Sequence, residues 1–173
     1  QRSVILHYRM QGGHLNVLCS EPMDLSVMPD ETDETTQGGA ATFAQGAKVS
    51  HYRVISKIGS GGMGEVYLAE DSALDRKVAL KFLPVHMCHD DSYRTRFRRE
   101  VQLAARIPHP NVVTIFEVSE HDGRPFFAME HIEGGSLRQL YANKKLSVAE
   151  VLEIATQVAD GLGEAHRHGI VHR

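Results

Sequence analysis

From His51 onward the apolar positions follow two periods, and the changes of period mark out the elements. "HYRVISKI" (51–58) alternates apolar and polar residues as a half-buried strand does; a glycine run interrupts it, and "EVYLAED" (65–71) resumes the alternation. "SALDR" supplies a turn, and "KVALKFL" (77–83) makes a third strand. "DDSYRTRFRREVQLAARI" (90–107) changes to helical spacing. Phe97, Val101 and Ala104 fall on one face there, and Asp91 or Ser92 can serve as the N-cap. "NVVTIFEVSE" and "PFFAMEHI" flank Asp122-Gly123, a pair suited to a tight reversal, which predicts a hairpin.

A short helix over 137–141 is expected next, then a long one from Ser147, where Glu150 completes a capping-box pattern. Val151, Ala155, Val158, Leu162 and Ala165 mark its apolar face, and Gly169 is the expected C′ residue. Gly161 and Gly163 each cost about 1 kcal/mol relative to Ala inside a helix, a cost that close packing would explain. Three strands, a helix, two strands and then helices make an α+β pattern, not an alternating β-α-β one.

Residues 1–49 carry no such period. Between Glu21 and Lys48 six acids (Glu21, Asp24, Asp30, Glu31, Asp33, Glu34) face one base among Thr, Gln, Gly and Ala. That composition buries too little apolar surface to offset the entropy of ordering it, so 1–49 is expected to be a mobile acidic leader. The 173 residues suffice for a real core, with 42% apolar and 24% charged positions. A formal charge of −3 gives no reason to expect nucleic acid as a partner. Two distant cysteines, Cys19 and Cys88, argue against a disulfide framework and for a reducing, cytoplasmic compartment. No run approaches the ~18 apolar residues of a membrane span, so no anchor is expected within this sequence. Gln1 opens no signal-peptide pattern, and both ends read as cuts.

Chemistry enters with "IGSGGMGEV" (58–66), which spaces glycines as Gly59-x-Gly61-x-x-Gly64. Glycines let backbone N–H groups approach phosphate oxygens with no Cβ in the way. A dinucleotide-binding fold needs this loop to open a helix, whereas here it opens an alternating strand. A Walker loop needs Lys-Ser/Thr after the last glycine, and the residue there is Glu65. In the third strand Ala79, Lys81 and Leu83 share one face, opposite Val78, Leu80 and Phe82. Lys81 therefore sets an ammonium on an apolar strand, where it needs a counter-charge. Glu100, on the inward face of the helix, is the candidate. Each residue alone also reads blandly, as a snorkelling lysine and a surface acid beside Arg96 and Arg99. The glycine loop tips the balance toward a functional pair.

With these residues in view, the segment 51–173 resembles the protein kinases, most closely the bacterial serine/threonine kinases of eukaryotic type. "IGSGGMGEVYLAED" is similar to their glycine-rich loop, "VALK" to the strand of the phosphate lysine, and "FRREVQLAARIPHPNVV" to the control helix and the loop after it. "FFAMEHIEGGSL" resembles the hinge between lobes, and "HGIVHR" the start of the catalytic loop. The resemblance implies a small lobe over 51–130, made of a five-stranded antiparallel sheet and the control helix. It implies a hinge with the first helices of an incomplete large lobe over 131–173.

It also implies roles. Gly59, Ser60, Gly61, Gly62, Met63, Gly64 and Glu65 would cover the phosphates of ATP, Lys81 would hold the α- and β-phosphates, and Glu100 would fix Lys81. Ile58, Val66 and Ala79 would roof the adenine, with Met129 behind it. The Glu130 carbonyl and Ile132 amide would bond its edge. His172 would orient the catalytic loop, and Arg173 would bind a phosphorylated activation loop. The catalytic base and the Mg²⁺ ligands would lie beyond Arg173, so no metal ligand is expected in this chain. The implied activity is ATP-dependent phosphorylation of protein Ser/Thr hydroxyls. A non-catalytic pseudokinase or nucleotide-binding interaction module is the alternative, and membrane anchoring and dimerisation stay open.

Other clusters read more simply. "HMCHDD" (86–91) lacks a second group that would complete four metal ligands. His166, His168 and His172 sit at a helix end, where the dipole favours imidazolium. Arg94, Arg96, Arg98, Arg99 and Arg106 read as a solvated helix face.

Overall fold

The computed structural model describes residues 5–8, 15–18, 42–61 and 64–170. Strands β1 (Ile5–Tyr8) and β2 (Leu15–Leu18) pair antiparallel. Then come β3 (Lys48–Val49), β4 (Tyr52–Gly61), β5 (Gly64–Asp71) and β6 (Arg76–Phe82). After a single 3-10 turn at Val85–Met87 runs helix α1 (Asp91–Ala104). Strands β7 (Ile115–His121), β8 (Arg124–Glu130) and β9 (Gly135–Ser136) precede helices α2 (Leu137–Asn143) and α3 (Val148–Arg167).

The central sheet is antiparallel, in the order β3-β4-β5-β6-β8-β7. It contains the five expected strands and one short edge strand besides. Its hairpins follow local chemistry. Asp122 and Gly123 both take positive φ (49° and 76°), the backbone of the tight turn that joins β7 to β8. At the other end, the buried carboxylate of Asp71 accepts from the Ala73 and Leu74 amides and from Arg76, which closes the β5–β6 turn.

The alternation read from the sequence separates two cores. Val54, Tyr67, Ala69, Val78, Leu80, Phe82, Phe126 and Ala128 form one layer. Ala79, Val101, Val113, Phe127 and Met129 form another on the opposite face, with Val66, Phe97 and Ile132 against them. Helix α1 covers this second face through Phe97 and Val101. A third cluster joins Ala104, Ile107 and Val112 to Ala165 and Ile170, and so ties α1 and its loop to α3.

The first face is covered by residues that the composition had placed in the leader. Phe43 packs edge-on to Tyr67 at 5.4 Å and against Phe82 at 4.8 Å, and its amide donates to the Tyr67 hydroxyl at 3.3 Å. Gly46 and Ala47 exchange backbone bonds with Val54, and β3 pairs with β4. The boundary at 49 is thereby corrected to about Thr42: a single aromatic ring finds a ready apolar surface that windowed composition does not register. The leader's other described parts, β1 and β2, form a hairpin that pairs with β9. The rest of the leader lies outside the described residues.

Helix ends differ from expectation by small steps. The N-cap of α1 is Asp90, one residue earlier than read, and its carboxylate accepts from the Ser92 amide at 2.8 Å. The capping box of α3 forms as expected between Ser147 and Glu150. Its far end is a Schellman closure, with the Ile170 amide on the Ala165 carbonyl and the Gly169 amide on that of His166, both at 2.9 Å. The buried stripe of α3 runs through Ile154, Gly161 and Ala165. Val151 and Ala155 are exposed instead. Gly161 fulfils the packing expectation: a Cβ there would lie 2.9 Å from the Asn111 carbonyl. Gly163 does not, since its nearest neighbour would be 4.0 Å away.

Candidate functional site

The glycine segment is the connection between β4 and β5. Gly59 pairs with Val66, Ser60 with Glu65 and Gly61 with Gly64, so Gly62 and Met63, which lie outside the described residues, join the two strands. Gly64 takes φ +104°, and a Cβ there would meet the Phe82 carbonyl oxygen at 2.0 Å. No other residue fits so close to β6 in that conformation.

Register then aligns the remaining candidates in rows across the sheet. Val66 pairs with Lys81, and Lys81 with Phe127; Leu68 pairs with Ala79, and Ala79 with Met129. Ala79, Met129, Val66 and Ile132 meet in one apolar cluster, so the predicted roof and rear residues are brought together. Ile58 is at the rim, 47% exposed. Glu130 continues β8, and its amide donates to the Thr114 carbonyl at 2.9 Å.

Lys81 is 4% exposed, and burial lowers its pKa to about 8. A buried ammonium loses hydration that only a counter-charge or water can restore. Among the described residues, desolvation by burial is the cause of this shift. Glu100 is half-buried on α1, between the turns that carry Phe97 and Val101. Both residues belong to the α1 side of the sheet, and an anion placed between them would find Lys81 as its cation. His172 and Arg173 lie outside the described residues.

Glu65 departs from its expected place. Its side chain turns to the opposite face, where it pairs with Lys57 and accepts from Arg124 at 2.7 Å. Sequence reading missed Arg124 entirely. It follows a turn glycine, where an arginine reads as solvated, yet it is 8% exposed. The "HMCHDD" loop resolves into ordinary contacts, with the Cys88 thiol directed at the Leu83 and Pro84 carbonyls. A separate open cleft of about 420 Å³, lined by Gly46, Arg53, Glu70 and Lys77 among others, contains none of the candidate residues.

Comparison with known proteins agrees with this geometry. Residues 52–173 match the protein kinase domain family. The chain is 42% identical over 130 residues to the serine/threonine-protein kinase PrkC of Bacillus subtilis, covering 74% of this chain and 20% of that protein. It is 38% identical over 134 residues to PknI of Mycobacterium tuberculosis, covering 76% of this chain and 23% of that protein. The crystal structure of the PknI kinase domain superposes with a TM-score of 0.67 at 38% identity, covering 76% of this chain and 54% of that one. The chain thus spans about a fifth of the length of these curated relatives.

Proposed function

Because the chain belongs to the protein kinase family, we propose that it is the ATP-gripping part of a protein serine/threonine kinase. The observation that carries this reading is Lys81: an ammonium buried to 4% exposure, held in register with Val66 just past the glycine connection. Such a group is costly unless it serves an anion.

The residues present fit a nucleoside triphosphate. The Gly64 backbone passes where a side chain would collide with β6, and glycines of such a connection would let backbone N–H groups approach phosphate oxygens. Lys81 would take the α- and β-phosphates, and Glu100 would steady Lys81 once α1 closes on it. Val66, Ala79 and Ile58 would bound the base, with Met129 behind and the Glu130 and Ile132 backbone at its edge. Bound ATP supplies the γ-phosphoryl group, and this chain's residues orient its tail. Mg²⁺ is part of the reading, but no group of three His, Cys, Asp or Glu side chains suited to a metal forms among the described residues. The family resemblance would place its ligands C-terminal to the matched span. Substrates would be Ser/Thr hydroxyls of proteins. The compartment would be the cytoplasm, where ATP is available.

The test is calorimetric titration of the chain with ATP and with adenosine. The reading expects both to bind, ATP more tightly, with the difference lost in Lys81→Met. Equal affinities in the unmodified chain would overturn the phosphate role of Lys81. Transfer of radiolabel to a protein by a chain extended through the whole domain would support the enzyme, and binding without transfer would favour a pseudokinase.

A further inference from the structure

The glycine connection is held from behind by a buried ion pair. Glu65 directly follows Gly64 and faces away from Lys81, because successive side chains of β5 alternate and Val66 lies on the α1 side. On that reverse face the Arg124 guanidinium donates to Glu65 at 2.7 Å, and its Nε donates to the Leu83 carbonyl at 2.8 Å. The same guanidinium stands 5.0 Å from the Phe82 ring centroid. Arg124 and Glu65 side chains are 10% and 14% exposed, so the pair is largely shielded from water. Lys57, on the incoming strand β4, holds the second oxygen of Glu65. This carboxylate therefore ties both limbs of the glycine connection to the start of β8, and Arg124 extends the link to Leu83, just past β6.

A surface lysine–glutamate pair would contribute little here. The Arg124–Glu65 pair differs because it is largely shielded: without Glu65 the buried Arg124 guanidinium loses its carboxylate, and without Arg124 the Leu83 carbonyl loses its nitrogen donor while Glu65 keeps Lys57. The contact lies one residue from Gly64, where a Cβ would meet the Phe82 carbonyl, and Glu65 pairs with Phe82, one position from the Val66–Lys81 pair. Burial alone would raise the Glu65 pKa, yet the bonds from Lys57 and Arg124 outweigh it and lower the value, so the carboxylate stays charged.

We propose that Arg124 is a positioning residue for the glycine connection, acting through Glu65 from the face opposite Lys81 to fix the loop's C-terminal limb for phosphate binding. The role rests on the nucleotide reading above, and Arg124 itself touches no ligand. It predicts a split between ligands: the phosphate-bearing one depends on Arg124, and the bare nucleoside does not.

The experiment compares the unmodified chain with Arg124→Met, Arg124→Lys, Glu65→Gln and the Glu65→Gln/Arg124→Met double variant. Amide exchange over residues 57–66 is measured without nucleotide, and affinities for ATP and adenosine are measured by calorimetry. Circular dichroism selects variants that retain the fold, and Arg124→Lys, which keeps the charge, serves if Arg124→Met does not. The expected result is faster exchange confined to 57–66 and an ATP affinity weakened roughly tenfold, with adenosine affinity unchanged. The double variant should be no worse than the worse single one, as partners in one contact require. Unchanged exchange, or parallel losses for ATP and adenosine, would overturn the proposal and leave a purely structural pair. Faster exchange in the variants together with no ATP binding by the unmodified chain would support the clamp and overturn the nucleotide reading instead.

Discussion

Phe43 lies against Phe82 with ring centroids 4.8 Å apart, and this contact seals the face of the sheet that α1 leaves open. Phe82 is fully buried, and Phe43 covers its ring and that of Tyr67. Phe43→Ala is expected to destabilise the fold by about 2 kcal/mol, less than the about 3–5 kcal/mol of a fully buried Phe, because Phe43 is itself half-buried. Chemical denaturation checks this. A chain beginning after Val49 should lose at least as much, and a truncated chain as stable as the unmodified one would contradict the corrected boundary.

Lys81 makes stability depend on alkaline pH. Its folded pKa, about 8, lies below the ordinary 10.5, so between these values the unfolded chain binds more protons than the folded one. Stability should therefore rise as pH climbs from 8 to 10.5, by up to about 3 kcal/mol for this group. Below pH 8 both states are protonated and the penalty of the buried charge is fully present. Urea midpoints across this range provide the measurement. Lys81→Met should remove the slope and be more stable than the unmodified chain at neutral pH.

On the nucleotide reading, the same pKa would govern phosphate binding. An anion favours the ammonium, so ATP affinity should fall as pH passes 8 and binding should take up protons there. Calorimetry in buffers of different ionisation heat reads that uptake. Adenosine, which brings no charge to Lys81, should show neither effect.

Two glycines in one helix should respond oppositely. Gly161→Ala gains about 1 kcal/mol of helix propensity but drives a Cβ to 2.9 Å from the Asn111 carbonyl, where backbone must move; a net loss of about 1–2 kcal/mol is expected. Gly163→Ala meets open space and should stabilise by up to about 1 kcal/mol. Thermal unfolding of the two variants distinguishes them, and equal shifts would show that Gly161 does not bear the contact between the loop and α3.

The sequence by itself determined five of the six strands of the central sheet, the two helices that flank the hairpin, and the division of β6 into a face with Lys81 and a face with Phe82. Those features follow from periods of two and 3.6 and from local turn and cap chemistry, which each segment carries within itself. The glycine spacing and the lysine strand were legible for the same reason, and with them the family. What only the tertiary structure decided depends on residues distant in the chain. Phe43 joins the core because β5, β6 and β8 create an aromatic surface for it. Arg124 is buried because Glu65 and the Leu83 carbonyl converge on it across 59 and 41 residues. The buried face of α3 includes Gly161 because Asn111 arrives there, and no helical period records where a neighbour will land. The state of Lys81 belongs to this second class too: its position was written in the strand, but its pKa of about 8 arises from burial that the whole sheet and α1 create together.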